Sequence, residues 1–493
     1  MDQYKMIIGG EAVNAVSSEW DTVINPATEE AFAEVPSADY ADIEKAVAAA
    51  KAAFPAWSKL TPGERSALMF KLADALEAKS DLLVQVECQN AGKPTKLAAN
   101  GDIPFAIDNL RFFAGQARSI EGTSAKEYVA GYTSVIRREA VGVVASITPW
   151  NYPFMMAIWK IAPAIAAGNT VVIKPAPQTP LTTLIFAQTA LEVGFPPGVI
   201  NAVTGGGPGV GEPLVTNPDV RMISFTGSTR TGKRIMELAA QKMTRVHMEL
   251  GGKAPFVVFE DADVEAAAHG AIVGGYMNTG QDCTAATRMI VHRSQYEAFI
   301  DLYASLAAKV RVGDPLADTT DMGPLISQVQ QERVAGFAQR AKDAGLKVAL
   351  DGGIPDGKGF FFKPTIFRDA PLDSELMQQE VFGPVTVVVP FDTEEEALAI
   401  ANDTPYGLAA SVWTNDMARA WRTTAAIEAG TVWVNDHLPI ASEMPHGGFK
   451  ESGFGKDMSR YSFEEYTIAK HIMFELEGDV KKAWHAAVFY DPE

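Results

Sequence analysis

The stretch Val141-Gly-Val-Val-Ala-Ser-Ile147-Thr-Pro-Trp-Asn-Tyr-Pro153 sets the grammar of the chain. A short apolar run ends in a polar, proline-rich turn. An apolar helical stretch, Trp159–Ala167, then leads to the next run, TVVIK at 170–174. The alternation continues through VINAV, MISF and PFVVF, with helical stretches at Leu181–Val193 and Thr231–Ala240. Buried parallel strands read as short apolar runs, and each needs a helical crossover to reach the next. The expected fold is therefore α/β, with a doubly wound parallel sheet. The pattern resumes after Cys283 with RMIVH, KVAL, VTVVV, ASVW and TVWVN. The acidic run EDAD interrupts it, and a boundary between two α/β units is placed near Phe259–Asp263.

The chain has 493 residues, which at roughly 150 per domain suggests about three folded units. Lys+Arg 42 against Asp+Glu 61 leaves a formal charge of -19. Nucleic acid is excluded as a partner, because phosphate contacts need clustered Lys and Arg. Only Cys88 and Cys283 occur, so a disulfide scaffold is excluded and a reducing compartment is the default. No signal peptide, membrane span or lipidation signal is read, and a soluble cytoplasmic protein is expected. No metal centre is expected.

From Asp42 to about Gln89 the spacing of Leu68, Leu72, Leu76, Leu83 and Val86 predicts two helices. Thr61 reads as an N-cap, with Pro62 and Gly63 in the first turn. The tail from Glu477 to Glu493 holds Trp484, Phe489 and Tyr490. It reads as a frayed end or as a segment that docks on a neighbouring subunit.

Two glycine-rich stretches follow predicted strands. Gly205-Gly-Gly-Pro-Gly-Val-Gly211 fails GxGxxG, because Val210 stands where the third glycine belongs. Gly227-Ser-Thr-Arg-Thr-Gly232-Lys233 fits GxxxxGK, but Arg234 replaces the Ser or Thr that would hold magnesium. A P-loop reading is weak. What survives is a strand, a glycine turn and a helix N-terminus, which offer free N–H groups to an anion such as a pyrophosphate; a tight turn without a ligand is the alternative.

Cys283 sits in the polar, glycine-containing loop NTGQDCT, where a reactive group would be displayed. Cys88, in VECQN, reads as structural. A thiol with pKa about 8.5 needs help at neutral pH, and none of the seven histidines can be tied to Cys283 by sequence. A cysteine protease is thereby disfavoured. Glu249, followed by Gly251 and Gly252, could approach a substrate as a base; taken alone it is a solvated loop residue. Asn151, in the rigid turn TPWNYP, could donate to an oxyanion; taken alone it is a turn residue bonded to its own backbone.

Together these segments resemble the aldehyde dehydrogenase superfamily. PWNYP at 149–153, IKPAPQTP at 173–180, FTGSTRTG at 225–232, MELGGK at 248–253, GQDC at 280–283 and EVFGPV at 380–385 fall in that family's order. The similarity runs from about Asn25 to about Thr467. It implies a Rossmann-type cofactor domain at 1–121 and 141–259 and a catalytic domain at 260–456. It also implies oligomerisation segments at 122–140 and 467–493, in a homodimer or homotetramer. The implied nucleophile is Cys283, with Asn151 and the Cys283 N–H holding the oxyanion and Glu249 activating water. Lys160 is implied as a proton relay near Glu249. Lys174 would meet the adenosine ribose, Ser228 the pyrophosphate, and Glu380 with Phe382 the nicotinamide ribose. Thr148, Trp150, Pro177 and Gly227 belong to the same cofactor track. Acylating relatives lack the carboxylate of Glu249, so hydrolysis to a free acid is implied.

NAD-preferring members often carry a glutamate where this chain has Pro177, so NADP is admissible beside NAD, with NAD favoured on family habit. Asp282, beside the nucleophile, would attract a cationic aldehyde and oppose thiolate formation, or else turn to water or a basic group. Tyr152 and Trp159 match an aromatic box for an ammonium. Met277 and His446 depart from the tryptophans of betaine aldehyde enzymes. The expected substrate is an ω-aminoaldehyde such as 4-aminobutanal, in polyamine breakdown. A broad aliphatic or aromatic, or a betaine, aldehyde dehydrogenase is the alternative. Outside that class stand a thioesterase-like hydrolase using Cys283 and Glu249, and a non-catalytic structural protein.

Overall fold

The computed structural model describes residues 1–119 and 124–488. Its larger sheet has eight strands. Five of them, Val143–Ile147, Thr170–Lys174, Ile200–Ala202, Val220–Thr226 and Arg245–Glu249, run parallel. Val143–Ile147 lies between Thr170–Lys174 and Val220–Thr226. From it the chain builds outward to Ile200–Ala202 on one side, then to Arg245–Glu249 on the other. The strand order thus reverses beside Val143–Ile147. In a doubly wound sheet that reversal opens a crevice beyond the carboxyl ends of the strands. Antiparallel strands Met6–Ile8 and Glu11–Val13 extend one edge, and Gly453–Phe454 closes the other.

The second sheet has seven strands, with Ala286–His292 flanked by Ala254–Val258 and Val385–Phe391. Ala254–Val258 also pairs with Ala409–Trp413. The boundary expected at Phe259–Asp263 therefore falls one strand earlier, since the chain changes sheets across 250–253. An apolar run such as PFVVF shows that a strand is buried, not which sheet buries it. The crossing brings the carboxyl edge of the first sheet against the amino edge of the second. There a Cβ on Gly252 would lie 2.1 Å from the Cys283 carbonyl oxygen, so only glycine fits.

The amino-terminal helices number three, not two: Tyr40–Lys59, Pro62–Glu77 and Ser80–Ala91. The leucine spacing carries on across the short break at 78–79, which hid it from the periodicity. Thr61 does cap the second helix, in a capping box with Glu64. The helix Pro153–Ala166 is buried on every side, as its nearly unbroken apolar sequence requires. Lys160 is its one charged residue, and a buried ammonium needs a partner.

A third sheet of three strands joins Lys126–Val129, Tyr132–Ala140 and Thr467–Glu475. The last two pair from Ala140↔Thr467 to Tyr132↔Glu475. Trp484 Nε1 of the tail donates to Tyr132 Oη at 3.4 Å, so this part of the tail lies on its own chain's arm. Residues 122 and 123 of the expected hairpin, and Phe489 and Tyr490 of the tail, lie outside the described residues. Among the described residues no helix is long and apolar enough to cross a membrane.

Candidate active site

The loops that follow the parallel strands converge at the crevice. Ser228 caps the helix Thr229–Ala240, its Oγ accepting from Thr231 N at 3.3 Å. Gly227 and Ser228 line the crevice at the amino end of that helix, where the first-turn N–H groups have no intrahelical partner. Lys233 turns away to Glu451 at 2.9 Å and Arg234 to Glu212 at 2.9 Å. The GxxxxGK match therefore supplies no phosphate-binding lysine, because both cations are spent on surface pairs.

Two cavities meet at Cys283. One, of about 240 Å³, is lined by Trp150, Gly227, Ser228, Glu380 and Phe382 among others. The other, of about 330 Å³, is lined by Tyr152, Trp159, Met277, Asp282 and His446, with Asp102 and several apolar side chains. Among the described residues Cys283 alone lines both. The first fits the expected cofactor track and the second the expected substrate set. Thr148, Lys174 and Pro177 sit farther out along the first sheet. Thr148 N donates to the Lys174 carbonyl, Lys174 Nζ donates to the carbonyls of Pro175 and Gly205, and Pro177 lies beside Gly206. Burial pulls the Lys174 ammonium down to about 8.

The Cys283 loop is held by strained backbone and crossed amides. Asn278 and Thr279 both take left-handed conformations, φ 49° and 60°, which non-glycine residues adopt only where packing over-determines them. Asn278 Nδ2 donates to the Asn151 carbonyl at 2.9 Å, and Asn151 Nδ2 donates to the Gln281 carbonyl at 3.0 Å. Asn151 is thus tied to the nucleophile loop rather than to its own turn, with its second amide hydrogen still to donate. Burial pushes the half-buried Cys283 thiol well up, and the carboxylates of Asp282, Glu249 and Glu380 push it further.

Asp282 lines the substrate cavity. Its carboxylate accepts from Tyr152 Oη at 2.7 Å, from Thr284 N at 2.7 Å and from Thr284 Oγ1 at 2.6 Å. All three partners are neutral. Lys93, buried and paired with Asp102, lies 3.8 Å from the centre of the Tyr152 ring. Trp159 packs on His446, whose ring is 5.3 Å away and whose burial lowers its basicity.

Glu249 ends its strand and is buried, not solvated; its Oε1 has no hydrogen-bond partner. It lines neither cavity as the chain stands. Burial first, and then Asp457, raises its carboxyl well above the usual range. A Cβ on Gly447 would lie 2.5 Å from that oxygen. Lys160 Nζ pairs with Asp457 Oδ2 at 2.7 Å, both side chains fully buried. His247 meets the same Asp457, and its other ring nitrogen meets Glu465.

Glu380 was expected on the cofactor track, whereas several residues that support the site escaped the sequence reading. Glu380 Oε1 accepts from Gly252 N at 2.9 Å, and burial lifts its carboxyl to about 7. The loop that carries it, with Phe382 at φ 58°, is held by Gln330 and Arg333, whose side chains donate to the carbonyls of 380–382. His437 Nε2 bonds the Thr284 carbonyl at 2.8 Å. A histidine therefore does support the nucleophile loop, from more than 150 residues away in sequence. Asp457 lies in GFGKDMS at 453–459, where a lone acid gives no signal in the sequence. Lys93, Asp102, Gln330 and Arg333 gave none at all.

Comparison with known proteins bears on this arrangement. The profile described as "Aldehyde dehydrogenase family" matches residues 13–472. An aldehyde dehydrogenase of Alternaria alternata is 42% identical over 477 residues, 96% of each chain. A phenylacetaldehyde dehydrogenase of Pseudomonas fluorescens is 40% identical over 479 residues, 95% of each. An NAD+ complex of aldehyde dehydrogenase from Bacillus cereus superposes with a TM-score of 0.95, at 42% identity and 97% coverage of each chain.

Proposed function

The chain belongs to the aldehyde dehydrogenase family, and within it we propose that the enzyme oxidises an ω-aminoaldehyde, such as 4-aminobutanal, to the free amino acid. Cys283 is the nucleophile. The thiol first loses its proton to water; its sulfur then bonds to the aldehyde carbon as the carbonyl π bond breaks, and the oxygen takes the negative charge. The second amide hydrogen of Asn151 and the Cys283 N–H stabilise that oxyanion. Trp150, Gly227, Ser228, Glu380 and Phe382 hold NAD or NADP along the crevice, with Thr148, Lys174 and Pro177 at its adenosine end. When bound, the cofactor supplies the acceptor for the aldehyde hydride. The acyl group then remains on Cys283 as a thioester. Glu249 takes a proton from water as its oxygen bonds to the acyl carbon and the carbon–sulfur bond breaks. Lys160 and Asp457 serve the base as its buried relay. NAD is favoured by the relative solved with it, while the proline at 177 leaves NADP admissible. The arm 122–140 with 467–488 is the proposed oligomerisation surface of a homodimer or homotetramer.

One observation carries the substrate class. Asp282 presents a carboxylate to the cavity with only neutral partners. Its charge favours a cationic aldehyde and repels an anionic one. A second reading, a broad aliphatic or aromatic aldehyde substrate, draws on the apolar wall of Met155, Met156, Trp159, Phe105 and Ile440. Comparing kcat/KM for 4-aminobutanal, succinate semialdehyde and phenylacetaldehyde tests both. The aminoaldehyde must lead; succinate semialdehyde equal or better removes the proposal, and phenylacetaldehyde in front favours the second reading.

A further inference from the structure

Beside Glu249 lies a buried charged cluster larger than a lysine–carboxylate relay. His247 is on the same strand, two residues earlier, so both side chains leave one face of the sheet. Donor atoms of His247, Glu249 and Asp457 all lie within 4.8 Å of one another. His247 Nε2 is 3.3 Å from Asp457 Oδ1, and Nδ1 is 2.7 Å from Glu465 Oε2. The His247 side chain is fully buried, whereas that of Glu465 is one-third exposed. Glu465 lines a separate cavity of about 510 Å³ with Arg138, Arg245 and Lys456. Its other oxygen accepts from Lys456 N, so it is fixed against the ring.

We propose that His247, acting through Asp457 and clamped as an imidazolium by Glu465, is the positioning residue that keeps Glu249 in its basic form during acyl-enzyme hydrolysis. The charges around it decide this. On its own strand is Glu249, on helix Pro153–Ala166 is Lys160, in the following loop are Lys456 and Asp457, and on helix Ser459–Glu465 is Glu465. The Tyr466 ring packs 6.2 Å away with its hydroxyl turned to Ser224. Three carboxylates thus face the buried Lys160 and His247 and the half-buried Lys456. Without His247, Lys160 and Lys456 would be left to offset Asp457 and Glu249 together. Burial and the Lys160 charge pull the imidazole down, but Asp457 and Glu465 outweigh them and lift it to about 9. The ring is then charged wherever the base must work, and a nearby cation favours the carboxylate form of Glu249.

The proposal rests on Glu249 being the base, and the experiment separates the two. Cys283 is acylated with 4-nitrophenyl acetate, excess ester is removed, and loss of the acetyl adduct is followed by intact mass between about pH 5.5 and about pH 9. No cofactor is present. In His247→Gln the acid limb of the decay rate should move up by about one pH unit, about tenfold slower near pH 6. An unmoved limb overturns the proposal. Glu249→Gln should erase the limb; a limb that persists there overturns the base assignment instead. Carbon-13 labelling of the histidines of the wild-type enzyme gives a measurement that needs no variant. One imidazole signal should stay in the imidazolium position above about pH 8, and titration of every histidine below that pH overturns the proposal.

Discussion

Lys160 Nζ lies 2.7 Å from Asp457 Oδ2, and neither side chain meets solvent. The two lie 297 residues apart in sequence. The pair is the solution to placing one lysine in the otherwise apolar helix Pro153–Ala166. Breaking it leaves a buried ammonium uncompensated, at a cost of about 3–5 kcal/mol. Asp457→Asn should therefore lower the urea midpoint strongly. The double change Lys160→Met, Asp457→Leu should recover much of that stability. Equal losses in the single and double variants would contradict the account.

Asp282 opposes the thiolate of Cys283 by its charge. Asp282→Asn should lower the thiol's ionisation pH and speed alkylation by iodoacetamide several-fold near pH 7.5. The same variant should lose preference for 4-aminobutanal over a neutral aldehyde of equal length, by about tenfold. Faster alkylation with unchanged selectivity would separate the two effects, leaving Asp282 as a modulator of the thiol alone.

Cys283 and Glu249 act in successive steps on the proposed reading. Glu249→Gln should leave a first-turnover burst of reduced cofactor near wild-type size, followed by steady turnover lower by about 100-fold. Cys283→Ser should abolish both phases. Full steady turnover in Glu249→Gln would remove its role.

Much of this was legible in the chain because the parallel strands are buried on both faces and so are written as apolar runs. VGVVASI, TVVIK, RMIVH and ASVW each fall on a strand. The strand Arg245–Glu249 was not legible, since RVHME carries two charges and a histidine. Two of its polar residues, His247 and Glu249, are buried in the cluster with Asp457, against the apolar pattern of the other strands. The same cause hid Glu249's burial, which its glycine neighbours had disguised as a loop. Tyr152, Trp159, Met277, Asp282 and His446, expected around the substrate, line one cavity with Cys283, whereas Asp102, Asp457 and His437 come near it only through tertiary contacts. No spacing announces a partner 153 or 297 residues away.

Lys174, with burial holding its ammonium down to about 8, gives the cofactor a pH signature. Its charged form is present below that pH and fades as pH rises through it. A 2′-phosphate gains from that charge, while a 2′-hydroxyl gains little. Binding of NADPH should therefore weaken between about pH 7 and about pH 9 more than binding of NADH, by several-fold in fluorescence titration. Lys174→Met should flatten the difference. Parallel pH curves for the two nucleotides would place Lys174 away from the 2′ position.

His437 supplies the last prediction. Its Nε2 faces the Thr284 carbonyl at 2.8 Å, an acceptor, so Nε2 carries the hydrogen; Nδ1 then accepts from Ser411 Oγ at 3.0 Å. The neutral ring is satisfied, and burial lowers its pKa to about 4. Unfolded, the same imidazole titrates near 6.5. Between these values the unfolded chain binds a proton that the folded one refuses. The contribution is intact above about pH 6.5 and is lost as pH falls toward about 4, amounting to about 3 kcal/mol. His247 works in the other window. Its raised pKa makes its contribution complete below about 6.5 and lost as pH climbs through about 9. Urea midpoints at about pH 7.5 and about pH 5 should fall less between the two pH values in His437→Asn than in the wild type. Midpoints that fall in parallel would show that His437 already carries its second proton in the folded enzyme, with Nε2 still donating to Thr284 and Nδ1 donating to Ser411 in place of accepting from it.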